Sequence, residues 1–253
     1  MARQRLGQHF LIRGSVLERI AAAACPTPQN LVIEIGPGRG ALTERLLKRA
    51  ARVVAVEVDP YLVLHLRAKF AGEPRLEVVE ADVLETDLTA WGPASIAGNL
   101  PYYIASPILD KTVRAAPLRA VFLIQKEVAE RLTARPGTPD YGFLTVRTAL
   151  FAAARLLFEV KPAAFHPPPK VDSAAVLLEP RPLPLPAGEA EDFLRFAAQC
   201  FRYKRKTLRN NLAGVYGREV VDAWPEAGLR AERISLEGLL EIFGRVRRSD
   251  RAE

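Results

Sequence analysis

Seven short apolar runs punctuate the chain, at residues 31–35, 53–58, 76–80, 94–98, 120–125, 155–160 and 173–179. Each is rich in Val, Ile, Leu or Ala and too short for an ordinary helix, so each reads as a strand. Stretches with helical spacing separate the early runs, among them ALTERLLKRA and PYLVLHLRAKF. Strands alternating with helices predict an α/β fold with a doubly wound, mostly parallel seven-stranded sheet. Between the last two runs lies only KPAAFHPPPKVD, without a helical pattern, so those two strands are expected to pair antiparallel. The segment PRPLPLPAGEA, near 180–190, reads as a linker. Beyond it, EDFLRFAAQCF, RKTLRNNLAGVY, REVVDAW and ERISLEGLLEIFGRV read as short helices. The pattern predicts a sheet domain over 1–184 and a helical domain over 185–253. The second is small for an independent core and is expected to dock on the first.

Candidate chemistry sits at the ends of the predicted strands. The first run opens into Gly36-Pro37-Gly38-Arg39-Gly40 and then a helix-like pattern. Glycines between a strand and a helix let backbone N–H groups approach a ligand closely. The second run ends at Glu57, 21 residues beyond Gly36, a spacing that suits a carboxylate gripping ribose hydroxyls. The third ends at Asp82, where an acid can accept from an adenine amino group. The fourth ends in Asn99-Leu100-Pro101-Tyr102. Asn and Pro favour turns anyway, but this set also suits an exocyclic amine, whose lone pair is delocalised into its base. An amide oxygen and a backbone carbonyl can accept its two hydrogens and favour the nucleophilic form, while an aromatic face holds the base.

The ligand is less constrained than its site. Gly36-x-Gly38-x-x-Ala41 also satisfies the dinucleotide fingerprint, so a nicotinamide-dependent dehydrogenase is a rival. The three histidines, His9, His65 and His166, do not read as a hydride-transfer site. Residues 99–102 suit amine methylation better, and S-adenosylmethionine is the favoured ligand.

Composition narrows the partners. No run of about 18 apolar residues is present, so no transmembrane helix is expected. The only cysteines, Cys25 and Cys200, show no metal or disulfide spacing, which suits a reducing cytoplasm. The net charge is +7 and the isoelectric point near 9.6, which favours an anionic partner. From Arg195 to Arg218 there are seven basic residues and no acidic one. Arg202, Lys204, Arg205, Lys206 and Arg209 are the candidate RNA-binding residues, supplying phosphate contacts. Phe201 and Tyr203, interleaved with them, read as packing residues. Arg3, Arg5 and Arg13 add charge before the first acid, Glu18.

Taken together, RLGQHFL at 5–11, EIGPGRGALT, VEVD, EADVL, GNLPYYI, FHPPPKVDSAAV and FRYKRKTLRNNL follow one another nearly end to end. In this order the chain resembles the bacterial small-subunit ribosomal RNA adenine dimethyltransferases (the KsgA/RsmA type). GNLPY with F-x-P-x-P-K-V is the specific part; the glycine loop is shared by many methyltransferases. The resemblance implies a Rossmann-like class I methyltransferase fold and an S-adenosylmethionine site. Gly36 and Gly38 would hold the amino-acid tail, His9 and Leu11 would close over it, and Glu57, Asp82 and Asn99 would complete the site. Tyr102 would stack on the target base and Phe165 cover its other face. Asn99 and the Leu100 carbonyl would orient N6, with Pro101 shaping the turn. The implied reaction is dimethylation of two adjacent adenosines in the 3′-terminal hairpin of 16S rRNA, during maturation of the small subunit, by a cytoplasmic monomer. The chain departs from many relatives at His9 and from some at Tyr103, where they carry Asn. Open alternatives are the related class that methylates large-subunit RNA, an assembly factor without catalysis, the dehydrogenase, and a DNA methyltransferase.

Overall fold

A run of Val, Ile and Ala without polar alternation has no face for water, so it is stable only in the middle of a sheet covered on both sides. The computed structural model describes residues 9–186 and 188–250. It opens with β1 (Phe10–Leu11) and α1 (Gly14–Ala24), then β2 (Gln29–Ile35), α2 (Thr43–Leu46), β3 (Ala50–Glu57), α3 (Pro60–Lys69), β4 (Leu76–Glu80) and β5 (Ser95–Asn99). There follow α4 (Ala105–Arg114), β6 (Arg119–Gln125), α5 (Lys126–Leu132), α6 (Phe143–Phe151), β7 (Ala152–Val160), β8 (Phe165–His166) and β9 (Ser173–Pro180). The chain closes with α7 (Ala190–Cys200), α8 (Leu208–Tyr216), α9 (Arg218–Asp222) and α10 (Leu236–Asp250).

The expected seven-stranded sheet is present, in the order β4-β3-β2-β5-β6-β9-β7. The pairings from β4 to β6 are parallel, whereas β9 runs antiparallel to both β6 and β7. From β2 the chain winds outward to β3 and β4, and from β5 it winds the other way to β6. The loops leaving β2 and β5 therefore diverge and leave a crevice at the strand ends, where open α/β sheets bind ligands. Gly98 allows the two strands their approach: a Cβ there would lie 2.4 Å from the Ile35 carbonyl oxygen.

Three features differ from the sequence expectation. The stretch ALTERLLKRA yields only the four-residue α2. Beyond it, the N–H groups of Lys48 and Arg49 bond three residues back, so the segment tightens into turns before β3 begins at Ala50. A second, two-stranded ribbon joins β1 to β8, with Phe10 opposite His166 and Leu11 opposite Phe165. The expected boundary at 184/185 is also corrected. One compact unit takes the chain up to Ala129 together with Ala152–Pro180; the other takes Glu130–Phe151 and the chain from Arg181. The reason is the apolar side of α6: Val146 and Leu150 are buried with Phe193, Phe196, Leu239 and Phe243, in a core the helical unit makes for itself. Leu185, within the proline-rich segment, packs against that same core. Among the described residues no helix is long and apolar enough to cross a membrane.

Candidate active site

The crevice at the switch point is a cavity of about 200 Å³, and every residue lining it belongs to the sheet unit. The glycine loop after β2 forms one wall. Gly38 has a φ of +57°, and a Cβ there would sit 3.1 Å from the Phe10 ring, so the loop and β1 meet only because that side chain is missing. The Arg39 guanidinium lies over the other partner of this contact, 4.7 Å from the centre of the Phe10 ring.

Glu57, at the end of β3, ties the loop to the sheet. One carboxylate oxygen accepts from the Gly38 N–H at 3.1 Å; the other accepts from Val58 and Asp59 N–H, each at 3.0 Å. Burial raises this carboxyl above its ordinary range, against the pull of those three bonds. Glu34, one residue before the end of β2, was not singled out in the sequence. It is buried, lines the cavity and accepts from the Thr43 hydroxyl at 2.5 Å. Burial pushes its pKa up to about 8. A lone acid inside an otherwise apolar strand was the signal for it. Asp82 lies beyond β4, exposed at the cavity edge, one oxygen accepting from Leu84 N–H at 2.8 Å.

The opposite wall is the end of β5. Asn99 donates its Nδ2 to the His9 carbonyl at 2.9 Å. That bond fixes which way the amide points and leaves Oδ1 as an acceptor. Leu100 is buried, its N–H given to the Leu123 carbonyl at 3.0 Å. Pro101 turns the chain with φ −60° and ψ 129° into a short 3₁₀ turn, Tyr102–Ile104. Tyr102 is half-buried, its hydroxyl 2.7 Å from Ser173 Oγ; burial raises this phenol above its ordinary value. Ser173 is 71 residues away in sequence, and nothing in its surroundings announced the contact.

β1 forms a further part of the lining. His9 and Leu11 both line the cavity. His9 Nδ1 lies 2.8 Å from the Pro167 carbonyl, so Nδ1 carries the proton of this bond. Its ring sits 5.7 Å from that of Tyr102. Phe165 is corrected. It is 3% exposed, packed in the main core beneath β1, and does not line the cavity. The two-residue ribbon decides this: Phe165 pairs with buried Leu11, and the strand's alternation turns the next residue, His166, outward to the cavity. His9, Leu11, Gly36, Gly38, Glu57, Asp82, Asn99, Leu100, Pro101 and Tyr102 do come together in one cleft. Its lining sets Glu57 and Asp82 against Arg39. Such a balance favours a cationic ligand over a pyrophosphate. Among the described residues no cluster could hold a metal ion.

The basic run lies in the helical unit, in the loop between α7 and α8. Arg202, Lys204, Arg205 and Lys206 are all exposed. Arg209 pairs with Asp222, and Lys204 Nζ donates to the Pro139 carbonyl at 2.6 Å. Tyr203 is also corrected: it is 55% exposed, with the Arg202 guanidinium 5.3 Å from the ring centre. Phe201 does pack against the helical core. Asn211, which sequence reasoning passed over, is buried and holds this loop: its Oδ1 accepts from Tyr203 N–H and its Nδ2 donates to the Cys200 carbonyl. Arg3 and Arg5 lie outside the described residues.

A sequence model of the family described as ribosomal RNA adenine dimethylase matches residues 1–243. The ribosomal RNA small subunit methyltransferase A of Synechococcus sp. (strain JA-3-3Ab) is 44% identical over 231 residues, covering 87% of this chain and 82% of the relative. Solved structures are similar as well, two of them over nearly the whole chain. One is a dimethyladenosine transferase from Plasmodium falciparum, with a TM-score of 0.76 and 26% identity over 94% of this chain and 98% of that one. The other is the 23S rRNA methyltransferase ErmE, with a TM-score of 0.74 and 33% identity over 94% and 99%.

Proposed function

This chain belongs to the ribosomal RNA adenine dimethylase family and is an rRNA adenine methyltransferase; on that premise we propose that it dimethylates N6 of two adjacent adenosines in the 3′-terminal hairpin of 16S rRNA, using S-adenosylmethionine. The observation that carries the reading is the state of Asn99. With Nδ2 committed to the His9 carbonyl, Oδ1 is left to accept a hydrogen from an adenine amine. The Leu100 carbonyl would accept a hydrogen bond from the other N–H, which frees the nitrogen lone pair from conjugation, and the amine would lose its proton to water after the methyl is transferred. Tyr102, pinned through Ser173, offers the base one ring face.

The cavity residues fit an adenosyl amino acid. Glu57 would hold the ribose, Asp82 the adenine amine, and the loop at Gly36 and Gly38 the amino-acid tail, beneath His9 and Leu11. When bound, S-adenosylmethionine supplies a methyl group already activated on its sulfonium. The protein then has little covalent work to do, and alignment of the amine provides most of the rate. Arg202, Lys204, Arg205 and Lys206 would supply phosphate contacts, which give affinity without reading sequence. The target adenosine must leave its stack to reach the cleft.

The test is incubation of the protein with methyl-labelled S-adenosylmethionine and small subunits from cells lacking this methylation, with large-subunit RNA alongside. Label recovered as N6,N6-dimethyladenosine near the 3′ end of the small-subunit RNA is the expected result. Label in large-subunit RNA alone would overturn the substrate, and no label in either would overturn the reaction.

A further inference from the structure

Two tyrosines stand side by side at the end of β5, and their surroundings differ. Tyr102 is half-buried, bonded to Ser173 and flanked by the His9 ring. Tyr103 follows in the same turn and lines the same cavity, yet it is 60% exposed. Its hydroxyl makes no hydrogen bond among the described residues. Apolar burial stabilises a fold roughly in proportion to the area removed from water, and this ring forgoes most of that. Folding therefore does not call for an aromatic at this position.

The rim around it is unusual in the same way. Ile12, just past β1, is also 60% exposed, and His166 is exposed on the same cavity. An uncovered aromatic and an uncovered aliphatic lining one cleft offer a surface to a flat apolar partner. Phe165 cannot serve, because it lies in the core. The flat groups that reach this mouth, if the function proposed above holds, are the bases of an unstacked RNA strand. Every base has a π-face, so stacking needs no particular base identity.

We propose that Tyr103 stacks on the base adjoining the target, while the target adenosine occupies the cleft beside Tyr102. One tyrosine is anchored for the reacting base, and the next is left free for its neighbour. In a pair of adjacent adenosines the neighbour on the Tyr103 side is the second substrate for one of the two targets, so Tyr103 holds that one while the other reacts. This makes Tyr103 a positioning residue that acts on RNA engagement rather than on methyl transfer.

The test is a double-mutant cycle on small subunits rebuilt with RNA in which either adenosine is replaced by an abasic nucleotide, following methylation of the one that remains. On intact particles Tyr103→Ala is expected to raise KM by about fivefold, the low end for one base stacked on an aromatic ring, with kcat changed less than about twofold. Tyr103→Phe keeps the ring and should keep KM. On one of the two abasic particles, the one lacking the base on the Tyr103 side of the target, the wild type should show the same rise, and Tyr103→Ala should add nothing to it. The exposed position makes folding of the variant straightforward to verify by its melting temperature. An unchanged KM, or losses from Tyr103→Ala and the abasic nucleotide that simply multiply on both abasic particles, would overturn the proposal. A wild-type protein that fails to methylate intact particles would overturn the proposed function, and the role of Tyr103 with it.

Discussion

Replacing Asn99 by alanine removes two interactions of different size, and the structure separates them. The first is the 2.9 Å bond from Nδ2 to the His9 carbonyl, which ties the segment entering β1 to the end of β5. A neutral, partly buried hydrogen bond contributes about 0.5–1.5 kcal/mol net. Its loss should weaken cofactor affinity by about twofold to tenfold. The second is the Oδ1 acceptor aimed at the amine. A pre-placed polar group acting on developing charge is worth about 10²–10³ in kcat. Asn99→Ala should therefore lower the single-turnover rate of methyl transfer at saturating cofactor by at least about a hundredfold. Calorimetric titration of the cofactor should show the smaller loss. Equal losses in rate and affinity would mean that Asn99 acts only as a clasp on β1. A rate within about tenfold of wild type would refute the amine-orienting role outright.

Three further outcomes test other parts of the structure. Glu34 holds its proton in the fold up to about pH 8 but releases it near the ordinary value of 4.5 when unfolded. Its contribution to stability is thus full below about 4.5 and lost as pH rises through about 8. Glu34→Gln should flatten the decline of melting temperature across that window, and an unchanged decline would place the proton elsewhere. Ser173→Ala leaves the Tyr102 hydroxyl without its partner. It should cost about 1 kcal/mol in a denaturant titration and raise KM for the particle, and an unchanged KM would argue that Tyr102 needs no anchor. Replacing Lys204, Arg205 and Lys206 together by alanine should flatten the dependence of log affinity on log salt by about 2 for single-stranded RNA. An unaltered slope would make those side chains a solvated face.

The strands, the glycine loop and the acids at the strand ends were legible because each is a local statement. An apolar run with no polar face must be buried on both sides, and a sheet so built leaves its crevice where the winding reverses. The loop, Glu57, Asp82 and Asn99 each close a strand in sequence, so topology alone gathered them. The neighbours of those residues were not legible, because they come from strands with no sequence signal of their own. β1 and β8 are two residues each, too short to show a period. Their pairing nevertheless sends Phe165 into the core and turns His166 outward.

By itself, the sequence determined the α/β class, the alternation that makes the sheet parallel, and which residues stand at its carboxyl edge. Tertiary structure decided the rest. It assigned 130–151 to the helical unit, since Val146 and Leu150 of α6 are buried in one core with residues of α7, α8 and α10. It took Glu34 out of water and so kept its proton near neutral pH. It brought Ser173 to Tyr102 from 71 residues away and left Tyr103, the very next residue, open to solvent. Pattern along a chain records which side chains avoid water, whereas desolvation and orientation at a site depend on what folds against them.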